Sequence, residues 1–319
     1  MRIQERFYLI KTIMIHKLEC QRKKRDALSP HLRSLVLMVI AAVLWGISGN
    51  VVKILFQAHN ITPQWLVAFR SLVIGIVLYA LLRPPFPRKH ILHLLFFATV
   101  GFTGFQIFYY LAIAYSSAPI ATLLQFLDMP LMVLYETVVD KQHLSKLKIA
   151  VIFSAVIGTI LLSFEDGHGF RLIISPLGLL FGLLAAITTA IYTLMGVSLV
   201  REYGTWNTAT WGFFIGGIAM FFWVPPWNVH PTGNITITIL LILFVIVFAT
   251  LIGQGLFMSS LKHLSASESN IIGLIEPLTS ALVGVLLLHE FMTPLQYVGG
   301  VIILAAIVTL QVFEKKPQS

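Results

Sequence analysis

Ten runs of apolar residues divide this chain, and they restrict its fold more than any other feature. We call them spans one to ten, and they cover residues 35–56, 63–82, 91–114, 118–139, 147–164, 176–199, 207–225, 237–262, 265–288 and 294–313. At about 1.5 Å per residue, a helix of each span is long enough to cross a hydrocarbon core of about 30 Å. Charged residues make up only 11% of the chain, against about 25% in soluble domains. The sequence therefore predicts an all-α integral membrane protein with ten transmembrane helices.

The basic residues fall mainly on one side of these spans. Of the 22 Lys and Arg residues, 19 precede span one or follow spans two, four, six, eight and ten, and the remaining loops hold only Arg171. Cytoplasmic loops carry the excess of Lys and Arg in membrane proteins. We therefore expect both termini to be cytoplasmic and the protein to lie in the inner (cytoplasmic) membrane. This distribution accounts for the net charge of +9 and argues against nucleic acid as a partner.

A stripe of five residues occurs twice, in spans four and nine. In span four, residues at steps of four, three, four and four share one helical face, namely Ala121, Gln125, Asp128, Met132 and Glu136. Adding 148 to each number gives the second set, Ser269, Gly273, Glu276, Ser280 and Gly284. The chain is therefore predicted to contain a duplicated unit with a carboxylate at the matching position of each copy.

Each copy contains five spans, which is an odd number, so the second copy must cross the membrane in the opposite direction to the first. We expect two inverted five-helix repeats, over residues 35–164 and 176–313, between a basic cytoplasmic segment at 1–34 and a cytoplasmic tail at 314–319. Inverted repeats are common in secondary transporters, where the substrate site lies near the membrane midplane between the repeats. The pattern indicates a transporter of small molecules.

Short motifs in both repeats resemble a known transporter family. They are Ala42-Val43-Leu44-Trp45-Gly46, Phe69-Arg70, the run from Ala121 to Leu127, Leu274-Ile275-Glu276-Pro277-Leu278 and the stretch from Glu290 to Gly300. Their order over about residues 35–313 resembles the EamA-domain branch of the drug/metabolite transporter superfamily. The resemblance implies a ten-helix carrier of small metabolites, often an exporter of amino acids or related compounds.

The two acids of the stripe are the first candidate pathway residues. Asp128 and Glu276 lie deep in spans four and nine, and an acid at such depth normally faces a bundle interior or a water-filled path. Pro130 and Pro277 follow them, and each proline leaves the carbonyl group four residues before it without its backbone donor. Two interpretations stay open: the acids line the substrate pathway, or they only hydrogen-bond a neighbouring helix.

Polar and aromatic residues in the other spans are further candidates for the pathway. Gln106 and Gln254 occupy matching positions in spans three and eight, where they either contact the substrate or hydrogen-bond neighbouring helices. For Trp45, burial between helices is the alternative to a pathway role. The remaining candidates are Asn50, Tyr109, Gln125, Tyr192 and Asn270.

Four charged residues are expected to have other roles. Arg70 is expected to pair with a carboxylate or to hold helix-terminal carbonyl groups, and Lys53 to extend its amine toward the membrane surface. Glu136 either guards the inner mouth of the pathway or marks a solvated helix end. We interpret Arg70, Glu136 and Glu290 as gate or structural residues.

The motifs favour transport over catalysis. The stretch from His289 to Thr293 contains His-Glu but lacks the second His of the zinc-protease pattern, and the sequence has no phosphate-loop motif. We therefore expect no enzyme activity, no metal and no cofactor. The hypothesis is a secondary active transporter that works by alternating access. Its expected partners are a small-molecule substrate and the lipid bilayer, and the proton is the candidate coupling ion. The alternatives are a facilitator, an importer, a channel-like pore or a lipid scramblase, and the oligomeric state stays open between monomer and homodimer.

Overall fold

The computed structural model describes residues 29–139, 145–165, 171–172, 174–225, 227, 229–264 and 266–313. Most of the predicted basic segment 1–34 and the whole predicted tail 314–319 lie outside the described residues, so both stay predictions. We label the described helices α1 to α14 and the strands β1 and β2 in chain order.

Helices make up nearly all of the described chain. The α-helices are α1 (Pro30–Ala58), α2 (Pro63–Leu82), α3 (Ile91–Phe96), α4 (Gly104–Tyr115), α5 (Ala118–Gln125), α6 (Asp128–Val138), α7 (Lys146–Ser163), α8 (Pro176–Tyr203), α9 (Thr205–Trp223), α10 (Ile235–Leu243), α11 (Gly253–Ser260), α12 (Ala266–Gly273), α13 (Ile275–Val283) and α14 (Pro294–Phe313). Three π-helical segments, Phe97–Thr103, Phe244–Ile252 and Gly284–Leu288, continue α3, α10 and α13. Strands β1 (Phe164–Glu165) and β2 (Arg171–Leu172) form one short antiparallel pair. Apart from that pair, the predicted all-helical fold is confirmed.

Eight helical segments are long and apolar enough to cross a membrane. They are Pro30–Ala58, Pro63–Leu82, Ile91–Tyr115, Ala118–Tyr135, Lys146–Ser163, Pro176–Tyr203, Ile235–Ser260 and Ile271–Leu288. Helices α9 and α14 occupy predicted spans seven and ten but are not among the eight. The protein is therefore a multi-pass membrane protein, and the number ten stays a prediction.

Four of these helices begin with a hydroxyl cap and a proline. The side chains of Ser29, Thr62, Ser117 and Ser175 each accept a hydrogen bond from a backbone N–H group of the first turn. A proline occupies the first or second position of each helix, where its missing N–H group would have no helical partner in any case. The local sequence therefore decides where these helices start.

The two halves of the chain are interrupted at matching places. The π-helical segments Phe97–Thr103 and Phe244–Ile252 begin 147 positions apart and end 149 apart, close to the 148-residue offset of the polar stripe. The helix of span four breaks at residues 126–127, and the helix of span nine breaks at Leu274. The sequence predicts Asp128 and Glu276 in mid-helix; the structure places each in the first turn of a new helix, because the neighbouring proline fits a first turn but not a helix interior.

The two halves also pack against each other reciprocally. Helix α2 packs on α9, and α7 packs on α14. Helix α1 contacts α11 and α13 of the second half, while α8 contacts α4 and α5 of the first half. If each span of the first half is exchanged with the equivalent span of the second half, the same pairs of spans are in contact. The cavity described below lies between these two sets of helices.

One contact at each end of the bundle shows which helix ends lie together. At one end, which we call the basic end because it holds Arg83, His31 Nε2 lies 3.1 Å from a carboxylate oxygen of Glu268. At the opposite end, Ser175 Oγ donates to the Tyr115 carbonyl oxygen at 2.8 Å. In each of these two contacts, the sequence predicts that both residues lie on the same side of the membrane.

Candidate functional site

A central cavity of about 310 Å³ lies between the two halves. Its wall consists of Trp45, Ser48, Gly49, Arg70, Phe102, Phe105, Gln106, Tyr109, Tyr110, Gln125, Phe126, Asp128, Met129, Thr189, Tyr192, Phe213, Ala249, Thr250, Gln254, Phe257 and Glu276. Polar side chains and aromatic rings make up most of this wall. A mixed wall of this kind suits a small molecule that has both polar groups and apolar surface.

Most of the residues that the sequence predicts for the pathway meet in this cavity. They are Trp45, Gln106, Tyr109, Gln125, Asp128, Tyr192, Gln254 and Glu276. Asn50 is not among the lining residues. Asn270 lies in α12 and Glu136 in α6, but their side chains fall outside the described part of the chain, so their roles stay predictions.

Asp128 enters the cavity wall from the start of α6. Asp128 is the first residue of this helix, and the N–H groups at a helix start stabilise negative charge. The sequence predicts that Pro130 leaves the Phe126 carbonyl without a donor. In the structure that carbonyl accepts from the Met129 N–H at an N···O distance of 3.4 Å, because the helix break moves the bond by one residue.

Glu276 reaches the cavity from the first turn of α13. The residue is half-buried, and its carboxylate makes no ion pair with any Lys, Arg or His side chain of the described ranges. Tyr109 lines the same cavity, and its Oη atom is 2.9 Å from Thr122 Oγ1. The Glu276 carboxylate therefore lies at the cavity without an ion-pair partner among the described residues.

Arg70 lines the cavity from α2, and its contacts differ from the expected ones. Its Nη1 atom donates to the Tyr110 hydroxyl at 2.5 Å, and its Nη2 atom donates to the Gln106 side-chain oxygen. Gln106 Nε2 in turn donates to the Phe102 carbonyl at 2.8 Å. The expected carboxylate or helix-terminal carbonyl partner is replaced by uncharged side chains of α4, because α4 is the helix that packs beside Arg70.

Aromatic rings form the apolar part of the wall. Trp45 Nε1 donates to the Ala249 carbonyl at 2.9 Å, and the Trp45 ring lies 5.6 Å from the Phe257 ring. The Tyr192 ring lies 5.1 Å from the Phe105 ring. Trp45 thus both packs between helices and lines the cavity, so its two interpretations are not exclusive.

Several phenylalanines of this wall are not among the predicted pathway residues. Phe102 and Phe105 come from the helix that carries Gln106, while Phe213 and Phe257 belong to the second half. Phe102 and Phe105 lie four residues before Gln106 and Tyr109, respectively, and Phe257 lies three residues after Gln254, so helical spacing could have placed all three on the pathway face. No such signal exists for Phe213, which lies among apolar residues and glycines.

Asn50 lies between two helices, outside the cavity wall. Its Nδ2 atom donates to Gly46 O at 3.1 Å and to Ser280 O at 3.0 Å, so its amide joins α1 to α13. The predicted place in the pathway is therefore not observed. The reason is that Asn50 lies on the face of α1 that packs against α13.

Lys53 and Glu290 meet at the opposite end of the bundle. Lys53 is buried rather than extended to the membrane surface, and its Nζ donates to Ile113 O at 3.0 Å and also to Ser116 O. A Glu290 carboxylate oxygen lies 3.6 Å from the same amine. This group, which we call the Lys53 network, ties α1 to the end of α4 and to the segment before α14.

Most of the sequence matches a known protein family. A model of the EamA-like transporter family matches residues 32–164 and 176–311. The chain belongs to the EamA-like transporter family. The resemblance seen in its motifs is confirmed, and the protein is a membrane transporter.

The relatives of this EamA-family transporter are also named as transporters. It is 28% identical over 292 residues to an uncharacterized inner membrane transporter, YicL, of Salmonella typhimurium, covering 88% of this chain and 95% of that protein. It is 25% identical over 291 residues to an uncharacterized transporter, YwfM, of Bacillus subtilis, with coverage of 88% and 95%. A solved crystal structure shares the fold with a TM-score of 0.56 at 18% identity, covering 86% of this chain and 95% of that one.

Proposed function

We propose that this protein is a secondary active transporter that exports amino acids or related small metabolites by alternating access. The observation that carries the proposal is that equivalent residues of the two halves line one cavity: Asp128 with Glu276, and Gln106 with Gln254. A cavity where inverted repeats meet is the usual place for a transporter's substrate site. The name of the Salmonella relative supports a location in the inner membrane.

The proposed membrane arrangement is ten helices in two inverted repeats. The matched π-helical segments, the matched helix breaks and the reciprocal packing support it. The basic end would face the cytoplasm, because the loops there carry most of the Lys and Arg residues. Both termini would then be cytoplasmic.

The Lys53 network supports alternating access. It closes the opposite end of the bundle with a buried amine, two backbone carbonyl groups and a carboxylate. A transporter must open and close each side in turn, and gates of this kind consist of interactions that break in one state. Release of substrate at the opposite end would require this network to open. The two acids of the cavity are the groups that would carry a proton if transport is coupled to one.

Transport by purified protein in proteoliposomes tests the proposal. Wild type, Asp128→Asn and Glu276→Gln would be compared for uptake and counterflow of labelled amino acids and related metabolites. We expect saturable counterflow by wild type and at least a 10-fold loss in both variants, because each removes a charge that faces the cavity. Glu202→Gln is the matched control, since it neutralises an exposed acid at the basic end.

Each result separates the proposal from an alternative. Linear flux without counterflow would indicate a channel-like pore, and lipid movement without metabolite flux would indicate a scramblase. Counterflow without accumulation of substrate against its gradient would indicate a facilitator. Accumulation of substrate in only the inward direction would indicate an importer. Full activity of both acid variants would contradict their place in the pathway.

A further inference from the structure

Arg70 is a buried charge that faces the cavity. It is 9% exposed and forms part of the cavity wall. A cation in the apolar part of a membrane protein is costly and normally has an anionic partner. Within the described ranges, no Asp or Glu oxygen lies within 4.0 Å of an Arg70 nitrogen.

The hydrogen bonds of Arg70 leave much of its guanidinium group free. A guanidinium carries five N–H donors, and the two bonds to Tyr110 and Gln106 use two of them. The Nε atom is buried and donates to no partner. Both partners are uncharged, so the bonds orient the group without neutralising it.

The surroundings hold the guanidinium group in one orientation. Its central carbon lies 4.9 Å from the centre of the Tyr110 ring, a distance at which a ring face attracts a cation. Gln106 is itself fixed by its bond to the Phe102 carbonyl. A planar guanidinium held in this way binds a carboxylate through two parallel hydrogen bonds.

We propose that Arg70 binds a carboxylate group of the transported molecule and makes the cavity selective for carboxylate-bearing metabolites. The inference rests on the proposed transport function and adds the chemical class of the substrate. The substrate's carboxylate supplies the missing counter-charge, and the aromatic wall contacts its apolar part. Arg70 is then a specificity-determining residue, not a residue that only joins α2 to α4.

Matched pairs of acid and amide test this assignment. The probes are phenylalanine with phenylalaninamide, leucine with leucinamide, and phenylacetate with phenylacetamide, each as a competitor of counterflow and as a ligand in calorimetry. For wild type we expect the acid of at least one pair to bind about 10- to 100-fold more tightly than its amide, since the acid alone forms charge-assisted bonds with Arg70. Arg70→Gln should abolish this ratio, and Arg70→Lys should keep part of it.

A second variant keeps the charge of Arg70 but gives it an anionic partner. Gln106→Glu places a carboxylate beside the guanidinium and also loses the Nε2 bond to the Phe102 carbonyl, so the readout is the acid-to-amide ratio, which should fall at least 10-fold. If Arg70 were only structural, this variant would leave the acid-to-amide ratio unchanged. Arg83→Gln, at the exposed end of the same helix, is the control.

The outcomes separate the two proposals. If wild type transports a probe but binds the amide of every pair as tightly as the acid, the assignment of Arg70 is wrong and the transport function stands. The same holds if Gln106→Glu and a folded Arg70→Gln keep the wild-type ratio. If wild type transports none of the probes and binds none, both the proposed function and the substrate class are contradicted.

Discussion

Asn50 shows how one buried side chain joins the two halves. Its Nδ2 atom donates to carbonyl oxygens of Gly46 and Ser280, at 3.1 and 3.0 Å. Gly46 belongs to the same helix, whereas Ser280 lies 230 residues further along the chain. The amide therefore contributes to the contact between α1 and α13, at a site with 0% exposure.

Substitution of Asn50 should affect stability more than substrate binding. Asn50→Leu removes the bonds and should lower the free energy of unfolding by about 1 kcal/mol. Asn50→Asp should cost more, because a carboxylate oxygen would then face the Ser280 and Gly46 carbonyl oxygens. Thermal unfolding in detergent measures the difference. If a variant lost substrate affinity but kept wild-type stability, the result would instead indicate that Asn50 is part of the substrate pathway.

At the scale of elements, the pair α2 and α9 depends on small residues. A Cβ atom added to Gly75 would lie 2.7 Å from the Phe214 Cα atom, and one added to Gly217 would lie 2.6 Å from the Leu72 backbone nitrogen. The obstacle is backbone in both cases, which cannot move without separating the helices. Glycine is therefore required where these helices cross.

Alanine at this crossing should destabilise the protein. For Gly75→Ala we expect a loss of about 1–3 kcal/mol in the free energy of unfolding, the usual cost of overpacking. Gly255→Ala is the matched control, because a Cβ there meets no atom within 4 Å and alanine favours a helix. Melting temperatures of both variants test this, and equal values would contradict the crossing as described.

At the scale of the whole molecule, the Lys53 network joins three segments at the opposite end of the bundle, where we propose that it acts as a gate. Loss of one charge there should favour the state that is open at that end. We expect Glu290→Gln to raise access to the cavity from the opposite end by about 5-fold, because the Lys53 amine would lose the carboxylate charge 3.6 Å away and a partly exposed ion pair contributes up to about 1 kcal/mol. The change should appear in the kinetics of labelling, not in the fold.

A thiol in the cavity wall reports this access. Ser48→Cys in a Cys20→Ser background gives the protein one thiol at the cavity, since Cys20 is its only cysteine. A membrane-impermeant maleimide is added from the side of the opposite end, with and without Glu290→Gln. Glu202→Gln at the basic end is the control. An unchanged labelling rate in Glu290→Gln would show that the network does not close the cavity.

The sequence by itself determined the helical membrane fold, the start of several helices and the meeting of Asp128 with Glu276. These features depend on local chemistry: apolar length fixes a span, Ser-Pro or Thr-Pro fixes a helix start, and a step of three or four residues fixes a face. A repeated spacing then predicts which positions of the two halves are equivalent.

Only the tertiary structure decided the roles that depend on which helices are neighbours. Asn50 faces α13 and not the cavity, Lys53 is buried beside Glu290, and Arg70 meets uncharged partners. Phe213 of the cavity wall is likewise indistinguishable in sequence from the phenylalanines that face lipid. The spacing within a helix determines which side chains share a face. What packs against that face is set by segments distant in sequence, 36 and 40 residues away for the partners of Arg70 and 230 residues away for Ser280 beside Asn50.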